Sequence, residues 1–106
     1  MGTNESSLLE GMSRLRDLCA RLRGPDGCSW DRAQTGPGLA PYLAEEVQEV
    51  LEALALGDVG RLEEEIGDAL YLWVLFLTAL ESEGTIRIAG CVGRIEDKLS
   101  RRHPEV

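Results

Sequence analysis

Between Ser7 and Leu22 the apolar residues fall at Leu8, Leu9, Met12, Leu15, Leu18, Cys19 and Leu22, with polar residues between them. That three-to-four-residue recurrence is the period of an amphipathic helix, and Gly24-Pro25-Asp26-Gly27 is placed to stop it. Residues 1–6 are polar and are expected to be disordered. Cys28 to Gly38 reads as a loop holding Trp30, Asp31, Gln34 and Thr35, with Gly36-Pro37-Gly38 as its hinge. A second helix is predicted from Leu39 to Leu56, with Pro41 in its first turn and an apolar stripe of Leu39, Leu43, Val47, Val50, Leu51 and Leu54. Gly57 is suited to end it and Asp58 to cap the next, so the second and third helices should form an antiparallel hairpin.

The third helix, Val59 to Glu83, changes character along its length. Its first half carries Glu65 and Asp68, whereas the twelve residues from Ala69 to Leu80 are apolar nearly all round. Such a run is too short to span a bilayer, which takes about 20 residues. It also offers more apolar surface than the other helices of a monomer would cover, which predicts a homo-oligomer, at least a dimer. Thr85 is placed to cap a fourth helix that runs to about Arg102, weakened by Gly90 and Gly93, with Ile88, Val92, Ile95 and Leu99 facing inward. No strand alternation or repeat is visible. The predicted fold is all-α, a four-helix bundle completed by dimerisation, in a single domain over residues 1–106.

Carboxylates are concentrated on the central hairpin. Glu45, Glu46 and Glu49, with Glu52 one turn on, belong to the second helix, and Glu65 and Asp68 to the third. Side chains three or four positions apart share a helix face, so Glu45 neighbours Glu49 and Glu65 neighbours Asp68. Two unit charges about 5 Å apart repel by roughly 3 kcal/mol at an effective dielectric of about 20. If the two faces meet, a hard divalent cation such as Mg²⁺ or Mn²⁺ is the natural remedy for oxygen ligands. On helical angles, Glu45, Glu49 and Glu52 lie opposite the apolar stripe and Glu46 at its border, which also suits a solvated face. Glu65 and Asp68 share their side with Ala69, Leu72, Phe76 and Ala79 and should point toward protein. Lys98, Arg101 and Arg102 collect on one side of the last helix, either complementing its dipole or serving as phosphate ligands.

Overall charge narrows the partners. Nineteen acids against eleven bases give a net charge of −8 in 106 residues, which disfavours binding to a nucleic acid polymer or an anionic membrane. Three cysteines without a Cys-x-x-Cys pair indicate neither a disulfide framework nor a cysteine zinc site. Together with the lack of a basic n-region and apolar segment at the start, this leads to the expectation of a cytoplasmic protein.

With these residues in hand, the chain resembles the MazG-type nucleoside triphosphate pyrophosphohydrolases. Their Glu-Glu-x-x-Glu, spacer, Glu-x-x-Asp pattern is matched by Glu45, Glu46, Glu49, Glu65 and Asp68. Cys28-Ser29-Trp30-Asp31-Arg32-Ala33-Gln34-Thr35 resembles the family's Cys-Pro-Trp-Asp-x-x-Gln-Thr, and Lys98-Leu99-Ser100-Arg101-Arg102-His103-Pro104 its Lys-Leu-x-Arg-Arg-His-Pro ending. Ser29 in place of proline and the Gly36-Pro37-Gly38 entry to the second helix depart from the pattern. The resemblance implies hydrolysis between the α- and β-phosphates of an NTP or dNTP, giving a monophosphate and pyrophosphate. It implies Mg²⁺ at carboxylates among Glu45, Glu46, Glu49, Glu65 and Asp68, with one of them, Glu46 the first choice, acting as base rather than ligand, and nucleotide-pool housekeeping as the setting. Trp30, Gln34, Lys98, Arg101 and Arg102 are candidate nucleoside and phosphate contacts, although Trp30 equally suits a core anchor. Three other readings compete: a relative acting on dUTP or phosphoribosyl-ATP, a non-catalytic helical dimerisation module, and a di-iron carboxylate bundle. The last needs Glu-x-x-His on two helices, and the one histidine is His103.

Overall fold

The computed structural model describes residues 3–106, with side chains from Ser7 onward. It is all helical, in the order α1 (Thr3–Leu22), α2 (Ser29–Ala33), α3 (Gly36–Leu56), α4 (Val59–Ser82) and α5 (Ile88–Arg102). Four of these five helices correspond to the predicted ones. α1 opens at Thr3 rather than Ser7; the expectation of disorder at Met1 and Gly2 lies outside the described residues.

The α3–α4 hairpin is the centre of the molecule. Gly57 adopts the left-handed conformation at φ 74° that ends α3, and Asp58 Oδ1 accepts from the Arg61 N–H at 3.2 Å to start α4. Along α3 the positions turned away from solvent are Leu39, Leu43, Glu46, Val50 and Ala53, and along α4 they include Leu62, Glu65, Ala69, Leu72, Phe76 and Ala79. Alternating steps of three and four make each set a single seam, and the two seams pack together. Leu39, Leu72, Leu75 and Ala79 form the buried cluster, with Leu43, Tyr71 and Phe76 against it. α1 leans on α4 and buries Cys19 completely.

Several predicted details change. The loop over Cys28–Gly38 contains helix α2, and the Gly36-Pro37-Gly38 hinge is the first turn of α3, capped by Thr35 Oγ1, which accepts from Gly38 N–H at 3.1 Å. Pro41 therefore lies inside α3, not in its first turn. Gly36 is closely approached: a Cβ there would run into the Leu80 side chain, and its N–H donates to Glu83 Oε2 at 2.8 Å. α5 starts at Ile88 rather than at Thr85, and its first N–H donates to Glu81 Oε2 at 2.8 Å. Two carboxylates near the end of α4 thus serve the starts of two other helices.

The apolar stripe of α5 does not face inward. Val92, Ile95 and Leu99 are 51%, 47% and 49% exposed, and no residue of α5 is buried. The α3 stripe is likewise only half covered, because Val47, Leu51 and Leu54 lie outside the seam; Ile66 and Trp73 do the same on α4. Val47, Val50, Ile66, Leu70 and Trp73 instead line an open apolar groove along the hairpin. The accessible surface is 7790 Å² for 11.6 kDa, roughly 2,000 Å² more than the approximately 5,800 Å² expected of a folded monomer of that mass. Its radius of gyration, 16.0 Å, likewise exceeds the approximately 13 Å of a compact chain of this length. Among the described residues, no helix is long and apolar enough to cross a membrane.

Candidate active site

The short turn at Gly57-Asp58 sets the register of the carboxylates. Glu49 lies eight residues before Gly57 and Glu65 seven after Asp58, so an antiparallel hairpin brings them level; the same holds for Glu46 and Asp68, eleven before and ten after. In the structure Glu46, Glu49 and Glu65 each present a carboxylate oxygen within 4.8 Å of the others. Glu46 and Glu65 occupy seam positions that would otherwise hold apolar residues. Each keeps one oxygen, Oε2, out of solvent and without a hydrogen-bond partner.

Such crowding raises the affinity of the site for protons. Burial pushes the Glu46 carboxyl above its ordinary range, and the charges of Glu49, Asp68 and Glu45 push it the same way. Glu65 is raised first by a carboxyl–carboxyl hydrogen bond with Glu49, then by burial and by the charges of Glu49 and Asp68; Arg61 opposes these weakly. A site that holds protons against its ordinary acidity is one that a cation would relieve. All the donors are carboxylate oxygens, the set preferred by Mg²⁺, Mn²⁺ or Ca²⁺ over softer ions. The orphaned Oε2 atoms of Glu46 and Glu65 therefore fit a divalent metal site.

The remaining predicted residues are placed less uniformly. Asp68, expected with Glu65 to point toward protein, is instead exposed, and it stands with exposed Glu45 outside the tight triad, although the charges of both reach it. The angular reading of α3 is corrected at two positions: Glu46 is in the seam itself, and Glu49 is turned toward α4 rather than away from it. That reading combined two apolar faces of α3, one meeting α4 and one open, into a single average. Lys98, Arg101 and Arg102 are exposed on α5, and no ion pair joins them to the carboxylates. Trp30 lies on α2 with its ring edge against Tyr42, centroids 5.9 Å apart at 77°, and both rings remain partly open to solvent. Gln34 Nε2 donates to the Trp30 carbonyl at 3.0 Å.

Sequence reasoning missed the role of Asp31 in this arrangement. It is 3% exposed and accepts a hydrogen bond from the Tyr71 hydroxyl of α4. Burial, then this bond, raise the Tyr71 phenol, and burial with the nearby Asp31 charge raises the Cys19 thiol. Arg23 Nη1 donates to the carbonyls of Asp31 at 2.9 Å and Gln34 at 3.1 Å. A tyrosine within an apolar run and an acid beside a tryptophan were the available signals, but nothing local pairs them.

The chain is similar in sequence to several known proteins. The chain is 42% identical over 96 residues to the nucleoside triphosphate pyrophosphohydrolase of Escherichia coli (strain K12), covering 90% of this chain and 36% of that protein. It is 38% identical over 92 residues to the nucleoside triphosphate pyrophosphohydrolase/pyrophosphatase MazG of Thermotoga maritima, covering 87% and 36%. With the uncharacterized protein YabN of Bacillus subtilis (strain 168) it shares 39% over 102 residues, covering 96% and 21%. The chain thus spans about a third or less of the length of these relatives. Residues 34–106, which include all five motif carboxylates and α5, match the model of the MazG nucleotide pyrophosphohydrolase domain. The chain belongs to that family.

Proposed function

We propose that this chain hydrolyses nucleoside triphosphates, NTP or dNTP, between the α- and β-phosphates, releasing the monophosphate and pyrophosphate. The observation that supports it most is the convergence of Glu46, Glu49 and Glu65, two of them with an unpaired buried oxygen, in a domain of this family. Glu49 and Glu65 would hold the metal, with Glu45 and Asp68 able to join from the rim and Glu46 serving either as a further ligand or as the base. Mg²⁺ is the proposed ion and Mn²⁺ its substitute; when bound, it supplies positive charge for the phosphates and acidity for the attacking water. Glu46 is the proposed base: its Oε2 is withdrawn from solvent without a partner, and burial raises its proton affinity above that of an ordinary carboxylate. Trp30 offers a face for a nucleobase and the Gln34 side-chain oxygen an acceptor for its edge. Lys98, Arg101 and Arg102 would meet phosphates.

A second subunit would bring the last of these to the site. α5 is splayed from the hairpin with its apolar stripe open, and the groove beside the carboxylates is open too. We infer a homo-oligomer, at least a dimer, in which these surfaces cover one another, since the excess of roughly 2,000 Å² exceeds the ~800 Å² per partner of a standard interface. Nucleotide-pool housekeeping in the cytoplasm is the setting that this chemistry suits.

Incubating metal-stripped protein with a panel of normal and modified triphosphates, with and without Mg²⁺, tests the reaction. Anion-exchange chromatography should show monophosphate and pyrophosphate only where metal is present. Orthophosphate and a diphosphate as main products would overturn the assignment.

A further inference from the structure

Helix α2 has five residues, too few for a helix to be stable by itself. Its position is therefore set by what its side chains and carbonyls are tied to. Arg23 ties it to the end of α1 through the carbonyls of Asp31 and Gln34. Trp30 rests on Tyr42 of α3. The Tyr71 hydroxyl donates to the buried Asp31 carboxylate, and this is the side-chain hydrogen bond among the described residues that joins α2 to α4.

Both anchor points on the hairpin lie one turn beyond the carboxylates. Tyr42 precedes Glu46 by four residues, a rise of about 6 Å, and Tyr71 follows Asp68 by three, about 4.5 Å. α2 thus bridges the hairpin at the edge of the acidic site, and it carries there an aromatic pair whose members are 41% and 46% exposed. We infer that Asp31 and Tyr71 are positioning residues for nucleoside recognition: their hydrogen bond sets where the Trp30–Tyr42 pair stands relative to the carboxylates. A buried carboxylate needs its partner, so loss of the hydroxyl drives Asp31 toward water and takes Trp30 with it. The inference rests on the pyrophosphohydrolase reading for its kinetic consequence, but not for the placement of Trp30.

The test uses Tyr71→Phe, which removes one oxygen and keeps the ring. In a Trp73→Phe background, where Trp30 is the sole tryptophan, acrylamide quenching of its fluorescence should rise at least twofold on Tyr71→Phe. Unchanged quenching overturns the inference, whether or not the protein turns over any nucleotide. In the otherwise native chain, Tyr71→Phe should raise KM for a nucleoside triphosphate about tenfold and leave kcat within twofold. Inhibition by inorganic triphosphate, which has no base, should be unchanged. In a Trp30→Ala background, Tyr71→Phe should change KM no further. An equal loss for inorganic triphosphate, or an effect that persists without Trp30, overturns the inference. Absence of turnover in the parent protein counts instead against the proposed reaction, and quenching then decides the role of Tyr71.

Discussion

Glu46 of α3 and Glu65 of α4 face each other across the hairpin seam, each with one carboxylate oxygen withdrawn from solvent and left without a hydrogen-bond partner. In a hairpin built only for stability these positions would be apolar, as their neighbours Leu43, Val50, Leu62 and Ala69 are. Two acids at the seam, with Glu49 beside them, replace apolar packing with a cluster of carboxylate oxygens.

Replacing Glu65 with Gln keeps the shape and removes one charge. Metal-free Glu65→Gln should melt at or above the parent temperature, because a repulsive partner of Glu49 and Asp68 is gone. Its gain in melting temperature on adding Mg²⁺ should shrink, and turnover should fall by at least about a hundredfold. Calorimetry and product release check the two halves. A stabilised protein with parental turnover would place the catalytic metal elsewhere.

The same crowding gives the metal-free protein a pH signature. Glu46 and Glu65 bind protons more tightly folded than unfolded, so the folded state holds more protons at a given pH. Their contribution favours folding below the ordinary carboxylate range and is lost as pH rises through the raised folded-state values. Parent protein in chelator should therefore lose stability between mildly acidic and neutral pH faster than the double variant Glu46→Gln/Glu65→Gln. Chemical denaturation at several pH values measures the difference, and saturating Mg²⁺ should abolish it.

Covering the open groove is expected to require a second copy. Light scattering should give at least twice the 11.6 kDa chain mass at micromolar concentration. Ile66→Glu, placing a charge in the groove beside Leu70 and Trp73, should shift the protein toward monomer and lower its melting temperature. A stable parent monomer would contradict the oligomer.

Gly36→Ala tests the contact between the start of α3 and the end of α4. The added Cβ would run into Leu80 Cδ2 and approach its Cγ to 2.9 Å, an overpacking expected to cost about 1–3 kcal/mol. Urea unfolding should show that loss with little change in the denaturant slope. Full stability in this variant would mean that Leu80 repacks freely.

The hairpin and its acidic motif were legible because they are local. Gly57 supplies the left-handed turn, Asp58 caps α4 within three residues, and helical period places Glu65 on the side of Ala69, Leu72 and Phe76. Nearly equal counts, eight before Gly57 and seven after Asp58, then bring Glu49 level with Glu65. These are consequences of backbone geometry over one or two turns, whereas the face that Glu46 and Glu49 present to α4 is not.

Other features depended on contacts between distant residues. Periodicity shows that a helix has an apolar face but does not say what covers it, so Val92, Ile95 and Leu99 were expected inside when α5 stands open. α3 has two apolar faces, and only the packing of α4 selects the one that contains Glu46. The five-residue α2 exists because Asp31 meets Tyr71 forty positions away and Arg23 reaches its carbonyls, bonds to which local propensity contributes nothing. The sequence by itself determined the four long helices, the tight turn and the acids they carry. The tertiary structure alone decided which acids lose their water and which apolar faces keep it, because burial is a property of both surfaces that meet and each stretch of chain specifies only one.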